Sequence, residues 1–196
     1  MRTYLAVLVT LSALTMSCSN SSSNGAINST AGTSASAEAF APPDNNTPMI
    51  VMRQGEGAFG GKSFTVSVYA DGKVHYDPHY TPSMSDIMGG NKPKPSPTPA
   101  DWNITQEQLR SLIDGFAKAD FLNLKDRYQY TEDGCPTHAE DLPTIELTLN
   151  LRDTSKKIQH NLGCMEVNSG PAYPRALKEL EDRVVQITMK THAEPQ

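Results

Sequence analysis

No apolar run in this chain of 196 residues is long enough to cross a bilayer as a helix; the longest, Tyr4 to Leu14, stops well short of the roughly 20 residues that such a span takes. Surplus positive charge is missing as well. The net charge is −5, so no broad basic surface is expected to neutralise phosphates, and nucleic acid is a poor candidate partner. The familiar catalytic signatures are also absent: there is no Gly-x-Ser-x-Gly elbow, no His-Glu-x-x-His, no Gly-rich phosphate loop entering a helix and no Ser-x-x-Lys. Known hydrolase and nucleotide-enzyme chemistries therefore lose their usual markers, and no cofactor is implied. Cysteine is scarce, with three in all, at Cys18, Cys135 and Cys164.

The most informative feature present is the amino terminus. Arg2 precedes the apolar run, and small and polar residues then close on Cys18, the layout of a secretory signal over residues 1–17. A cysteine at that point resembles the lipobox of bacterial lipoproteins, in which the chain is cut before the cysteine and lipid is attached to it. Leu14, Thr15, Met16 and Ser17 lead into Cys18 here, with Thr15 where that family prefers leucine. The resemblance implies lipidation at Cys18 and a place in the bacterial cell envelope. The membrane would be the partner through that lipid, at the periplasmic face of the outer membrane. Ordinary secretion after cleavage is the alternative.

If Cys18 carries lipid, Cys135 and Cys164 form an even pair in an oxidising compartment, where a disulfide is expected. Closing a loop of that length would contribute about 3–4 kcal/mol on the chain-entropy account. Two free thiols are the bland alternative. A metal site is a further one, because His138 and His160 lie close in sequence to the two cysteines, although their spacing matches no standard zinc arrangement.

Residues 18–47 are mostly Ser, Asn, Ala, Thr and Gly and carry too little apolar content for a core. They read as a disordered tether with a root-mean-square reach of roughly 30 Å. A single domain is then expected over 48–192. It starts with the short apolar segment Met49 to Met52. Phe64, Val66 and Val68 alternate with Ser63, Thr65 and Ser67, the period of a strand with one buried side. Asp71 and Gly72 predict a two-residue turn of positive φ, and Lys73 to Tyr76 the returning strand. The prolines at 78, 82, 93, 95, 97 and 99 predict an extended Pro-rich loop over 78–101. Thr105 with Gln108 forms a capping-box pattern, and Ile104 with Leu109 a hydrophobic staple. Leu109, Leu112, Ile113 and Phe116 then follow helical spacing, and Asp120 marks the break. Ile145, Leu147, Leu149 and Leu151 alternate as a second half-buried strand, paired with Lys156 to Asn161. A last helix starts near Pro174, its stripe formed by Leu177, Leu180, Val184 and Ile187. The order predicts an α+β fold, an antiparallel sheet built from hairpins with two helices packed on one face.

The run Ser63 to Tyr76, then Ile104 to Leu124 with Tyr128, then Asp141 to Thr144, and finally Leu177, Leu180 and Glu181, resembles the bacterial domain of unknown function 6438. The likeness covers roughly residues 49–189. Members often carry a cysteine pair around a Phe-Gly step before the first hairpin; here Phe59 and Gly60 remain, with Ala58 and Lys62 where the cysteines would stand. The resemblance implies a fold and an envelope location and no catalytic residue.

One dense polar constellation stands out. Alternate residues of a strand share a face, so His75, Asp77 and His79 are a candidate metal site with two imidazoles and a carboxylate. An exposed polar strand end is the plainer account. The acidic group Glu132, Asp133, Glu140 and Asp141 reads as a solvated loop or a weak calcium site. Two function classes follow. One is a noncatalytic envelope lipoprotein that binds a protein or a small ligand. The other is a metal-binding protein or metal-dependent hydrolase that uses His75, Asp77 and His79 with a further ligand such as His138 or His160.

Overall fold

The structure is a computed structural model and describes residues 40–58, 60–90, 98–135, 137, 139, 141–164 and 174–190. The expected signal segment, Cys18 and most of the tether lie outside the described residues, as do His138 and Glu140.

Seven strands form one sheet: β1 (Ile50–Gln54), β2 (Gly61–Val68), β3 (Lys73–Thr81), β4 (Ala100–Asn103), β5 (Arg127–Tyr128), β6 (Thr144–Asn150) and β7 (Ser155–Asn161). Among the described residues three α-helices accompany it: α1 (Met84–Met88), α2 (Gln106–Lys118) and α3 (Arg175–Lys190). The class is α+β, and the sheet is larger than the two expected hairpins. In the spatial order β4-β3-β2-β1-β6-β7-β5, β1 joins the hairpins by pairing antiparallel with both β2 and β6. The short segment Met49 to Met52 thus marks the middle of the sheet. β5 is the one strand that pairs parallel, with β7.

Register places the alternating apolar residues on one face. Ile50 lies opposite Val68 and Leu149, and Met52 opposite Val66 and Leu147, while Val68 faces Val74 and Leu147 faces Ile158. All are buried, and they belong to one cluster with Leu109, Leu112 and Phe116 of α2 and Leu177, Leu180 and Val184 of α3. Each such side chain contributes about 1.5–3 kcal/mol through removal from water. The two long helices meet closely at Gly115, where a Cβ would stand 3.1 Å from Leu180 Cδ1, and Arg183 Nη1 donates to Ser111 Oγ at 3.1 Å. Phe64, Tyr76 and Trp102 carry an aromatic row across β2, β3 and β4, with centroids 5.9 and 6.1 Å apart.

Local signals account for the helix ends. The Thr105 hydroxyl accepts from Gln108 N at 3.1 Å, and the Gln108 side chain accepts from Thr105 N at 2.8 Å, which closes the expected capping box. Ile104 and Leu109 are both buried. Asp120 takes the left-handed conformation at φ 50°, ending α2 before Phe121 turns back onto Phe116 with centroids 4.9 Å apart. Pro174 stands one residue ahead of α3, its carbonyl accepting from Leu177 N at 2.8 Å.

Several expectations need correction. The β2–β3 turn has three residues rather than two: Tyr69 N donates to Lys73 O and Gly72 N to Tyr69 O, and Gly72 alone takes positive φ, at 91°. This is a type I turn closed by a left-handed glycine. Residues 78–101 are not loop throughout, because β3 continues through Pro78 to Thr81, and α1 and the start of β4 follow. β4 has already ended its pairing at Tyr76, so beyond that point β3 is an edge and the missing N–H of Pro78 costs no ladder bond. Order also reaches further back than residue 48. Phe40 packs against the core, and Ala41 O accepts from Arg152 N at 3.0 Å.

Candidate functional site

The strand positions that alternate with the core present a polar face. It carries Val51 and Arg53 of β1, Ser63, Thr65 and Ser67 of β2, His75, Asp77 and His79 of β3, and Glu146 and Thr148 of β6, none of them buried. One row runs Asp77, Thr65, Arg53, Glu146, Gln159 across five strands, and the next runs His75, Ser67, Val51, Thr148, Lys157. Small side chains occupy β2 in the middle, and on β1 Val51 stands beside the long Arg53. Longer charged ones stand to either side, on β3 and on β6 and β7. The outcome is a shallow trough with a floor of hydroxyls and short aliphatics.

His75, Asp77 and His79 share this face as their spacing predicts, but they do not share a centre. His75 Nδ1 lies 2.7 Å from Asp101 Oδ1 on β4, whereas His79 Nε2 lies 3.2 Å from Asp77 Oδ2. The hydrogen bond from His75 holds the Asp101 carboxyl below its ordinary range, partial burial opposes this, and the nearby charge of Lys73 adds to it. Among the described residues, no group of three or more His, Cys, Asp or Glu side chains is placed to hold a metal ion. His160 lies on the opposite, buried side of β7 against Glu181, four strands from β3, or about 19 Å at normal strand spacing. Of the acidic loop, Asp133 is engaged by Arg127 Nε at 2.9 Å.

Cys135 and Cys164 stand at disulfide distance, with Cα atoms 5.4 Å apart. Both are buried. They join the loop that precedes β6 to the segment that leaves β7, where the sequence puts a staple.

Two hollows among the described residues bear on the site. The wider, about 820 Å³, lies among Lys125, Arg127, Lys156 and Lys157, yet each of these cations already has an oxygen partner. Arg127 holds Asp133, Lys156 holds Asp126, Lys157 holds Glu146, and Lys125 reaches the Asp133 carbonyl. The smaller, about 320 Å³, is bounded by Arg53, Glu56, Ser63, Thr65 and His79. Glu56 accepts there from Thr81 Oγ1 at 2.5 Å and from Ser63 Oγ at 3.3 Å. Arg53 differs from these four. Its neighbour in register, Glu146, is taken by Lys157 and Gln159, each at 3.3 Å, and among the described residues no acidic side chain pairs with its guanidinium.

Arg53 was not among the residues singled out in the sequence. The signal was present, since Arg53 follows Val51 at the alternate position of a short apolar strand. What was hidden is that this strand lies at the centre of the sheet. A second missed element is α1, whose Ser83 and Asp86 form the same reciprocal box as Thr105 and Gln108.

A family model described as a domain of unknown function (DUF6438) matches residues 61–188. No curated protein matches the chain.

Proposed function

The chain belongs to the family of the domain of unknown function DUF6438, and from that starting point we propose that it is a noncatalytic binding module carried on the bacterial cell envelope by lipid at Cys18. The observation that carries the binding role is the trough on the polar face: a wide sheet surface with a floor of small side chains. In this reading α2 and α3 pack together on the apolar face and leave the other for a protein or small ligand. The envelope location rests on Arg2, the apolar run and the lipobox-like approach to Cys18. The Cys135 and Cys164 pair supports it, because a buried pair at that separation suits an oxidising compartment.

Membrane fractionation of the parent and a Cys18→Ala variant tests the anchor. The parent is expected in the membrane fraction and the variant in the soluble one, and equal membrane retention would overturn lipidation. Capture from native envelope extract tests the binding role. Variants with bulky substitutions on the trough floor, Thr65→Trp and Ser67→Trp, are expected to lose what the parent captures. Undiminished capture would remove the trough from the proposal.

A further inference from the structure

Among the described residues of the trough, Arg53 is a cation with no acidic side chain paired to it, and its surroundings define what would neutralise it. Arg53 projects from the middle strand of the sheet, with Thr65 opposite it on β2 and Ser63 and His79 bounding the same hollow. Glu146, the nearest acid in register, already serves Lys157 and Gln159. A guanidinium offers its N–H donors as a planar fork that matches the two oxygens of a carboxylate, and the Thr65 hydroxyl adds a donor beside it. The hollow, about 320 Å³, is of the size that takes a small molecule. Its local charge narrows the choice further. Glu56 lies at its rim, so a ligand with two negative charges would meet about twice the repulsion that a single carboxylate does.

Building on the binding role set out above, we propose that Arg53, with Thr65, holds the single carboxylate of a polar organic ligand. That carboxylate can come from a small organic acid or from the free C-terminus of a peptide, and both present the same group to the fork.

The test uses the full chain labelled with ¹⁵N and four probes: lactate, triglycine, triglycine amide and inorganic phosphate. Lactate, triglycine or both are expected to shift the Arg53 Nε–H and Thr65 amide signals saturably below roughly 10 mM, the weak-binding range. Triglycine amide is expected to shift neither. Binding of lactate alone identifies a small acid, and binding of triglycine alone a chain terminus. Arg53→Gln is expected to weaken the interaction by about tenfold or more, as loss of a charge-assisted fork does, while Lys157→Gln changes it less than about twofold. Arg53 is exposed, so both variants should melt with the parent, which separates lost binding from lost folding. Equal binding of the amide, tighter binding of phosphate, full affinity in Arg53→Gln, or no saturable shift with either carboxylate would each overturn the assignment. If Arg53→Gln still captures the parent's partner from envelope extract, the carboxylate site falls while the binding module stands.

Discussion

His160 on β7 meets Glu181 on α3 inside the core, with Nδ1 3.2 Å from each carboxylate oxygen. Both side chains are almost wholly buried, at 3 % and 2 % exposure. Removal of one member leaves the other short of a buried hydrogen bond, which typically costs about 1–3 kcal/mol, whereas exchange of both for apolar groups of similar shape is often close to neutral. Glu181→Leu alone is therefore expected to lower stability by about 1–3 kcal/mol. The double variant His160→Phe, Glu181→Leu should recover most of it. Urea denaturation of the two singles and the double, read as a mutant cycle, checks this; additive losses would show that the two side chains act independently.

Gly72 is expected to resist substitution. Its φ of 91° lies where side chains are strained, and a Cβ would come within 2.8 Å of the Ile104 carbonyl, while Gly72 O itself accepts from Ile104 N at 2.9 Å. Gly72→Ala should thus loosen both the β2–β3 turn and the entry to α2, at a cost of about 1–3 kcal/mol. Ala70→Gly, two residues earlier, serves as the comparison and should cost less than about 1 kcal/mol. Thermal melts of the two variants beside the parent decide the matter.

The purified chain should show no free thiol at Cys135 or Cys164 until it is unfolded in reductant. Loss of the link in a Cys135→Ser, Cys164→Ser variant is expected to cost about 2–5 kcal/mol. Thiol counting under native and denaturing conditions, followed by denaturant melts, measures both effects. Two reactive thiols in the oxidised, unfolded parent would contradict the pairing.

Acid sensitivity should trace in part to Asp101. The His75 hydrogen bond, with help from Lys73 and against a smaller burial effect, sets its carboxyl below the usual range. The group is thus easier to ionise folded than unfolded. Its contribution is complete above the unfolded value of about 3.9 and is lost as pH falls through the lower folded value. The side chain is exposed, so the effect is modest and weakens with salt. Carboxyl titration by ¹³C NMR is expected to place the Asp101 midpoint below that of an ordinary aspartate. His75→Ala should return it toward normal; an unchanged midpoint would refute the assignment.

Much of the fold was legible because local chemistry and final structure agree. The alternation of Phe64, Val66 and Val68, the stripe of Ile145, Leu147 and Leu149, and the Thr105 box each needed only neighbours in sequence. What was not legible depended on distant partners. Nothing near Ala100–Asn103 announces a strand, since β4 forms only because β3 offers it an edge. Pro78 argued against the strand that contains it, and its tolerance depends on where β4 stops. Glu181 entered only as part of the family resemblance, and its burial went unread, although its place four residues after Leu177 and one after Leu180 lies on the apolar stripe. Likewise, His160 alternates with Ile158 on the inward side of β7 and was read only as a metal-ligand candidate, beside Cys164 or with the His75 group. The candidate site was half legible. The shared face of His75, Asp77 and His79 follows from spacing, but Asp101 comes from beyond the Pro-rich stretch, and the central place of Arg53 emerges only when both hairpins are assembled around β1.

The sheet finishes on four residues at β4 and two at β5. Beyond these short strands the margins are the uncovered ends of β3, which carries Pro78, and of β7, which carries Lys156 and Lys157, residues that discourage a neighbouring copy from pairing there. Molecules crowded together can therefore remain separate instead of growing into fibres, even with seven strands in each.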